Sequence, residues 1–150
     1  MPIPPFTDFG LLPEGIHVCS PEEIVDRYCA NPNRQAIWER FLHCCAELRD
    51  LGWVQSVLVD GGFTSDKPVT KDIDVVIDAN HLDDASFYSA WVWWVANRQR
   101  IMDDLTVDLW LHHQMMPNDL SQFFCYVKEP ERLQRGAPEG VRKGLLRISL

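Results

Sequence analysis

Two aspartates separated by a single residue, Asp72 and Asp74, are the side chains of this sequence best suited to chemistry. Because side chains alternate along a β-strand, both carboxylates would project from one face of a strand, with their roots about 7 Å apart. Two negative charges at that separation favour a bound cation, and carboxylate oxygens suit Mg²⁺ or Mn²⁺ better than zinc. The spacing therefore predicts a divalent-metal site, with Mg²⁺ (or Mn²⁺) as the cofactor.

A third carboxylate would complete a site for phosphoryl or nucleotidyl transfer. In such sites two metal ions about 4 Å apart stabilise both the attacking and the leaving oxygen of the displacement. Asp108 is the best candidate, because it lies between two apolar residues on a predicted strand that can lie beside Asp72 and Asp74. Asp103 and Asp104 are weaker alternatives.

A glycine pair precedes the aspartates and meets a separate requirement of nucleotide chemistry. Gly61 and Gly62 lack a Cβ atom, so their backbone N–H groups can approach phosphate oxygens closely and can adopt positive φ without strain. Ser65 and Lys67 follow in the same loop and would add a hydroxyl and a positive charge. We therefore predict that these four residues bind the phosphates of a nucleotide. A hairpin turn without a ligand is the alternative for the two glycines.

The spacing of these residues resembles the signature of the nucleotidyltransferase superfamily related to DNA polymerase beta. Gly61-Gly62 is followed by nine residues and then by Asp72-Ile73-Asp74-Val75, and Val107-Asp108-Leu109 comes later. The chain also resembles, over nearly its whole length, an uncharacterised bacterial and phage family of small nucleotidyltransferase-like proteins. The segments that carry this second resemblance are residues 6–13, 61–68 and 143–148.

The resemblance implies an α/β (α+β) domain of the nucleotidyltransferase fold, with a mixed β-sheet flanked by helices. It also implies metal-assisted transfer of a nucleoside monophosphate from a nucleoside triphosphate to a protein, RNA or small-molecule acceptor. Carried over residue by residue, it gives Asp72, Asp74 and Asp108 the roles of catalytic metal ligands. The sequence departs from the superfamily pattern at Asp60, where an apolar residue is common, and at Gly62, where serine is common.

A second interpretation belongs to a different functional class. A nucleotidyltransferase-like protein with weak or absent catalysis would act by contact with another protein, as one half of a toxin–antitoxin pair or as a phage-defence component. In that case the carboxylates would be relics of catalysis or a nucleotide sensor. For the motif itself, the alternative is that Asp72 and Asp74 cap solvent-exposed strand ends without any ligand. Transfer of a labelled nucleotide separates the two interpretations.

Two helices are predicted before the glycine pair. Ser20 followed by a proline and by Glu23 forms a helix start, because the serine and glutamate side chains satisfy N–H groups that lack partners in the first turn. This helix is expected to end near Cys29. Apolar residues recur at helical spacing over residues 33–50, which predicts a second, longer amphipathic helix.

The predicted strands that carry the aspartates alternate with further elements. They cover residues 53–59, 72–77, 106–111 and 144–150, and the last closes the edge of the sheet. A third helix is predicted over residues 84–102, after a turn and cap at residues 78–80. Its apolar core stripe consists of Phe87, Tyr88, Trp91, Trp94, Val95 and Ile101. Residues 121–128 are predicted as a strand or a short helix, and residues 129–143 as a loop.

Composition places these elements in one domain spanning residues 1–150, which begins with an extended, proline-rich arm over residues 1–13 anchored by Phe6 and Phe9. The net charge of −8 gives no basic surface for wrapping nucleic acid. No membrane-spanning segment or export signal is evident, so we predict a cytoplasmic protein. The five cysteines lack the paired spacing of a zinc site and are predicted to be reduced and mostly buried.

Other side chains have weaker claims to the site. His112 and His113 follow the predicted strand of Asp108 and are candidates for reaching the site or binding a metal. Adjacent residues of a strand face opposite sides, however, so the two cannot easily chelate one metal ion together. Trp93 falls outside the apolar stripe of its helix and is a candidate for contact with a partner. The basic alternatives for binding phosphate or an acceptor are Arg135, Arg142 and Lys143.

Overall fold

Five strands form one mixed sheet in the computed structural model, which describes residues 3–117 and 119–150. The strands are β1 (Ile16–Val18), β2 (Ser56–Asp60), β3 (Ile73–Asp78), β4 (Val107–His112) and β5 (Leu145–Ser149). Their order across the sheet is β1-β5-β2-β3-β4. β2 pairs antiparallel with β3 and β5, whereas β1 pairs parallel with β5 and β3 pairs parallel with β4. The predicted mixed sheet is therefore confirmed.

Helices flank both faces of this sheet. Those in the described ranges are α1 (Pro21–Tyr28), α2 (Pro32–Asp50), α3 (Asp84–Leu105), α4 (Leu120–Phe124) and α5 (Glu129–Arg135). One face of the sheet, which includes Val59, Val75 and Leu109, belongs to a large buried cluster shared with α1, α2 and α3. The opposite face carries Leu58 and Val76, which belong to a smaller cluster with α4. The chain is one mixed α/β domain, and the larger core occupies only one face of its sheet.

The first two helices begin where their sequence signals place them. Ser20 caps α1 by accepting a hydrogen bond from the Glu23 N–H at 3.2 Å, and the Glu23 carboxylate accepts one from the Ser20 N–H at 2.7 Å. This reciprocal capping box satisfies two N–H groups that lack partners within the helix. Asn31 caps α2 by accepting from the Arg34 N–H at 3.0 Å. Both predicted helices are confirmed.

Several predicted boundaries are wrong because tertiary pairing decides them. β5 lies between β1 and β2 and does not close the sheet edge. The predicted loop over residues 129–143 contains α5, a short helix that buries no residue and so has no apolar stripe to reveal it. The cap of α3 is Asp83, whose carboxylate accepts from the Ser86 N–H at 2.8 Å, and not residues 78–80. Residues 121–128 are predicted as a strand or a short helix, and the second alternative is correct, because helix α4 covers the start of this segment.

The apolar stripe predicted for α3 is only partly buried. Trp94 and Ile101 lie in the core and Phe87 packs against it, but the sheet covers a narrower face of the helix than the stripe occupies. The exposed members are Tyr88, Trp91 and Val95. Trp93, the candidate for contact with a partner, packs edge-on against Trp53 with ring centroids 6.2 Å apart.

The predicted N-terminal arm has no helix or strand over residues 3–13 and is packed onto the domain. The Phe6 ring lies 5.9 Å from the Tyr28 ring, and Leu11 and Leu12 are buried. Met1 and Pro2 of the arm lie outside the described residues. The anchoring role predicted for Phe6 therefore agrees with its contacts, and the two leucines fix the arm more firmly than expected.

Membrane and redox features follow from the same fold. Within residues 3–117 and 119–150, no helix combines the length and apolarity needed to cross a bilayer.

All five cysteines are unpaired thiols in buried positions, as the sequence predicts. Burial raises the pKa of Cys44 and that of Cys45 to about 12, so neither thiol is a reactive thiolate near neutral pH.

Thr106 connects α3 to β4 in a strained backbone conformation, which gives a prediction about stability. It adopts the left-handed region with a φ of 53°, and its hydroxyl is buried without a hydrogen-bond partner. A β-branched residue is strained in this region, whereas glycine adopts positive φ freely. We expect Thr106→Gly to raise the free energy of unfolding by about 1 kcal/mol in urea titrations.

The control for this substitution is Asp104→Gly, which places glycine within the helical part of α3. It should lower the free energy of unfolding by about 1 kcal/mol, because glycine there loses more conformational entropy on folding. A Thr106→Gly protein that is less stable than wild type would contradict the strain assigned to Thr106.

Candidate active site

Three aspartates stand side by side across β2, β3 and β4. Asp60 is the Cα partner of Asp74, and Asp74 is in turn the Cα partner of Asp108. Directly paired residues of neighbouring strands project from the same face of a sheet, so the three carboxylates share one face. The structure thus brings together two of the predicted ligands, Asp74 and Asp108, and adds Asp60 to them.

Asp60 is the site residue that sequence reasoning missed. It is only 2% exposed, and Lys143 Nζ lies 3.6 Å from its Oδ1 atom, which makes no hydrogen bond. Burial raises the pKa of Asp60 to about 6, although Lys143 and a hydrogen bond from the Gly61 N–H act in the opposite direction. The available sequence signal is an acidic residue at the end of an otherwise apolar strand.

Crowding of like charges is strongest at Asp74. Burial, and then repulsion from Asp72, Asp108 and Asp60, raises the pKa of Asp74 to about 7. Asp72 precedes β3, and burial together with the Asp108 carboxylate raises its pKa as well. The four carboxylates therefore interact electrostatically, and a bound cation would relieve their repulsion.

The glycine loop comes directly over Asp74. Gly61 has a φ of +88°, and a Cβ atom built at this position would collide with Oδ2 of Asp74. Glycine is therefore required here for both conformation and space. Gly61 uses the freedom to adopt positive φ that is expected of both glycines, whereas Gly62 lies outside the positive-φ region.

Arg34 of α2 fixes the remainder of this loop. Its side chain is buried, with 4% exposure, and its guanidinium donates hydrogen bonds to five backbone carbonyls. The accepting residues are Tyr28, Gly62, Phe63, Ser65 and Lys67. Asn33 exchanges two further hydrogen bonds with the backbone of Thr70, at 2.9 and 3.0 Å. The start of α2 therefore holds the loop in place in the absence of a ligand.

A cavity of about 360 Å³ lies beside the aspartate row, within the size range of small-molecule sites. Asp60, Asp74 and Asp108 line it, together with both glycines of the loop. Three lysines also line it: Lys67, Lys128 and Lys143. Lys67 Nζ lies 3.6 Å from Oε1 of Glu131, another lining residue. Acidic and basic groups therefore meet around one cavity, as recognition of a metal–phosphate ligand requires.

Two predicted site residues have other positions. The Ser65 hydroxyl is buried, donates to the Gly62 carbonyl at 2.7 Å and accepts from the Lys67 N–H at 3.3 Å. It therefore organises the loop from within and is not among the residues that line the cavity. Asp72 also does not line the cavity, although its charge acts on Asp74.

The aspartates have the oxygen ligands that a divalent cation needs, but their side chains are not arranged around one point. Carboxylate oxygens are the ligands that Mg²⁺ and Mn²⁺ prefer. Among residues 3–117 and 119–150, no group of three or more His, Cys, Asp or Glu side chains is positioned so that it could hold a metal ion. Binding of such an ion therefore requires the carboxylates to turn toward a common point.

The weaker candidates lie elsewhere. His113 faces the core, where its ring stacks on Phe87 at 4.3 Å, whereas His112 lies on the other face, 4.0 Å from Asp119. The two histidines thus face opposite ways, as predicted. Asp103 and Asp104 are exposed near the end of α3. Among the basic alternatives, Lys143 lines the cavity, Arg135 pairs with Asp66 at 2.8 Å, and Arg142 pairs with Glu14 at 3.2 Å.

Comparison with known proteins gives a family without an assigned activity. A family model described as "Family of unknown function (DUF6932)" matches residues 4–149. No curated protein and no solved structure is significantly similar to the chain. Any function must therefore be argued from the residues of the site.

The hydrogen bonds of Arg34 generate a prediction about stability. We expect Arg34→Met to lower the free energy of unfolding by about 3–5 kcal/mol, because several buried carbonyls lose their charged donor. Urea unfolding measures the change. Arg40→Met, an exposed position on the same helix, should change it by less than about 0.5 kcal/mol. A cost below about 1 kcal/mol at Arg34 would show that the loop does not depend on this side chain.

The raised pKa of Asp74 predicts how stability depends on pH in metal-free buffer. Folding raises this pKa from the ordinary 3.8 to about 7, so the unfolded chain releases the proton first. Stability therefore falls as pH rises through that window. We expect Asp74→Asn to remove on the order of 2 kcal/mol of this fall, measured by urea unfolding at about pH 5 and about pH 8.

Asp78→Asn is the matched comparison on the same strand. Burial alone would raise the pKa of Asp78, but hydrogen bonds from Arg147 at 2.8 Å and from the Asn80 N–H at 3.1 Å lower it below its ordinary value. This carboxylate therefore stabilises the fold above its unfolded pKa. The substitution should reduce stability at about pH 8, opposite in sign to Asp74→Asn. Equal effects of the two substitutions would contradict the repulsion assigned to Asp74.

Proposed function

The chain belongs to the DUF6932 family, whose function is unknown, and we propose that it is a metal-dependent nucleotidyltransferase. In this proposal it moves a nucleoside monophosphate from a nucleoside triphosphate to a hydroxyl of a protein, an RNA or a small molecule. The observation that supports it most is the row of Asp60, Asp74 and Asp108 beside the glycine loop. This row lines one cavity with three lysines.

We assign the domain to the nucleotidyltransferase fold related to DNA polymerase beta. In support, the glycine pair follows β2, Asp74 lies on β3 and Asp108 lies on β4. The glycine pair, Asp74 and Asp108, which carry the resemblance to the superfamily signature, therefore meet at one cavity beside a mixed sheet. Their convergence is what a shared catalytic role requires.

Asp72, Asp74 and Asp108 are the proposed ligands of Mg²⁺ or Mn²⁺. Burial, and then repulsion from the neighbouring carboxylates, raises the pKa of Asp74, and a bound cation would relieve that repulsion. When bound, the ion offsets charge on the phosphate oxygens and on the leaving pyrophosphate. Asp60 faces the same cavity, where Lys143 partly offsets its charge.

The glycine loop and the lysines are the proposed triphosphate site. Lys67, Lys128 and Lys143 can each donate charge-assisted hydrogen bonds to phosphate oxygens. Gly61 and Gly62 line the same cavity as these lysines, so phosphate held by the lysines would lie beside the loop backbone. Because the fold already holds this loop, binding of the nucleotide does not have to order it.

The transfer step forms a bond from the acceptor hydroxyl oxygen to the α-phosphorus of the nucleotide. It breaks the bond from that phosphorus to the oxygen shared with the β-phosphate, and pyrophosphate leaves with the bonding electrons. The hydroxyl proton passes to a carboxylate, and we assign this role to Asp108. Asp108 is half-buried on the cavity wall, where it is accessible to an acceptor.

A catalytically weak binding partner is the second candidate, and the surface of α3 favours it. Tyr88, Val92 and Val95 are exposed and are spaced as neighbours on one side of the helix. Apolar side chains grouped on a surface are typical of sites that contact another protein. In this role, within a toxin–antitoxin or phage-defence pair, the aspartates sense a nucleotide or have lost their activity.

Transfer of label separates the two candidates. We expect the wild-type protein, incubated with each labelled nucleoside triphosphate, Mg²⁺ or Mn²⁺ and host lysate, to label a protein or RNA fraction. Asp74→Asn should slow transfer about a hundredfold or more, because a metal ligand that stabilises the transition state is lost. Label in separated protein and RNA fractions is the measurement.

Asp104→Asn, at an exposed position near the end of α3, is the matched control and should transfer at the wild-type rate. Transfer by Asp74→Asn at the wild-type rate would contradict the ligand assignment. Absence of label with every triphosphate, from a wild-type protein shown to be folded, would favour the binding partner over the enzyme.

A further inference from the structure

Aromatic side chains form part of the wall of the cavity that the aspartates line. They are Trp110 of β4, Phe123 and Phe124 of α4, and Tyr126, which follows α4. Phe123 is 59% exposed and Tyr126 is 60% exposed. Core packing does not account for these two rings, because most of their surface lies in water. A flat apolar group placed against them would bury that surface favourably.

The two exposed rings stand on a fixed support. Phe124 is buried and meets the Phe123 ring edge-on, with centroids 5.3 Å apart, and the Trp110 ring at 5.9 Å. The Arg98 guanidinium lies over the Trp110 ring, 5.0 Å from its centroid. Phe123 is therefore attached to a packed aromatic cluster, so stacking against it does not require the wall to form first.

Tyr126 is held by backbone contacts to the chain before β5. It forms an isolated antiparallel bridge with Arg142, and the Lys143 N–H donates to the Cys125 carbonyl at 2.9 Å. These bonds couple the position of the Tyr126 ring to that of Lys143, which lines the same cavity. The aromatic and the cationic parts of the wall are thus held together by one pair of segments.

The chemistry of the wall defines the kind of ligand that fits it. Lysines and carboxylates suit a metal-bound polyphosphate, whereas exposed aromatic rings suit a flat heterocycle. A nucleoside triphosphate joins these two parts in one molecule. Inorganic polyphosphate has the phosphate chain but no flat ring, and an apolar acceptor has a flat ring but no phosphate chain.

We propose that Phe123 and Tyr126 form a subsite on which the base of the nucleoside triphosphate stacks. This inference rests on the proposed nucleotidyltransferase function, because the lysines and the glycine loop must hold the phosphates of the same molecule. It gives the domain a means of holding the base through Phe123 of α4 and through Tyr126, two residues after that helix. Stacking reads the flat face of the base, so the subsite accepts more than one base.

The test compares a nucleotide with its phosphate chain alone. The ligands are α,β-methylene ATP, in which the bond that transfer breaks is blocked, and inorganic tripolyphosphate, both with Mg²⁺ in isothermal titration calorimetry. Phe123→Ala and Tyr126→Ala should each weaken binding of the analogue about tenfold, the effect of one stacking contact. Binding of tripolyphosphate should stay within about twofold of wild type.

Two further variants separate stacking from other roles. Tyr126→Phe keeps the ring and should bind the analogue as wild type does, whereas a loss equal to that of Tyr126→Ala would overturn stacking in favour of the hydroxyl. Tyr88→Ala removes an aromatic side chain of similar exposure, 69%, on α3 and should leave both ligands unaffected. Thermal unfolding of each variant checks that the fold is retained.

Failure of this inference and failure of the proposed function give different results. If wild type binds tripolyphosphate and the Phe123→Ala/Tyr126→Ala double variant binds the analogue as tightly as wild type does, the subsite is overturned and the phosphate site stands. An equal loss of both ligands in the double variant also overturns stacking, because the rings then act through the phosphate site. If wild type binds neither ligand, both proposals are overturned.

Discussion

The carboxylates of Asp60, Asp74 and Asp108 repel one another, yet the hydrogen bonds between β2, β3 and β4 hold them side by side. A shift of one residue in either pairing would turn a whole strand over and separate the aspartates. The buried face of the sheet prevents this shift, because Val59 and Val75 of the same strands lie in the core. The apolar face thus fixes the register, and the register assembles the charges.

The loop above the aspartates is held in place by the buried guanidinium group of Arg34. A buried guanidinium is costly unless its N–H groups are satisfied, and a buried loop is costly unless its carbonyls are satisfied. Arg34 meets both needs at once, since its side chain donates to carbonyls from Gly62 to Lys67. The result is a rigid loop whose Gly61 lies against Asp74. Preorganisation of this kind lowers the entropy that a ligand must lose on binding.

Charge in the cavity is already partly compensated without a ligand. Lys143 lies near Asp60 and Lys67 lies near Glu131, so the lysines are held at the wall by its own acids. A polyphosphate would compete with those acids for the lysines, and a divalent cation would compensate the carboxylates in turn. Metal and phosphate are therefore expected to favour each other's binding. The exposed rings of Phe123 and Tyr126 line the same cavity as these charged groups.

The features that depend on neighbouring residues can be predicted from the amino-acid sequence: the capped helix α1, the amphipathic helix α2, the glycine loop, and Asp74 and Asp108 on short strands. Each has a local signal, because capping, helical spacing and alternation act over a few residues. Three features of the site depend on the folded domain: Asp60 joins the aspartate row, Ser65 turns inward, and aromatic residues between positions 123 and 126 line the cavity. Strand pairing and packing between distant segments set these positions, and no local pattern encodes which segments will meet.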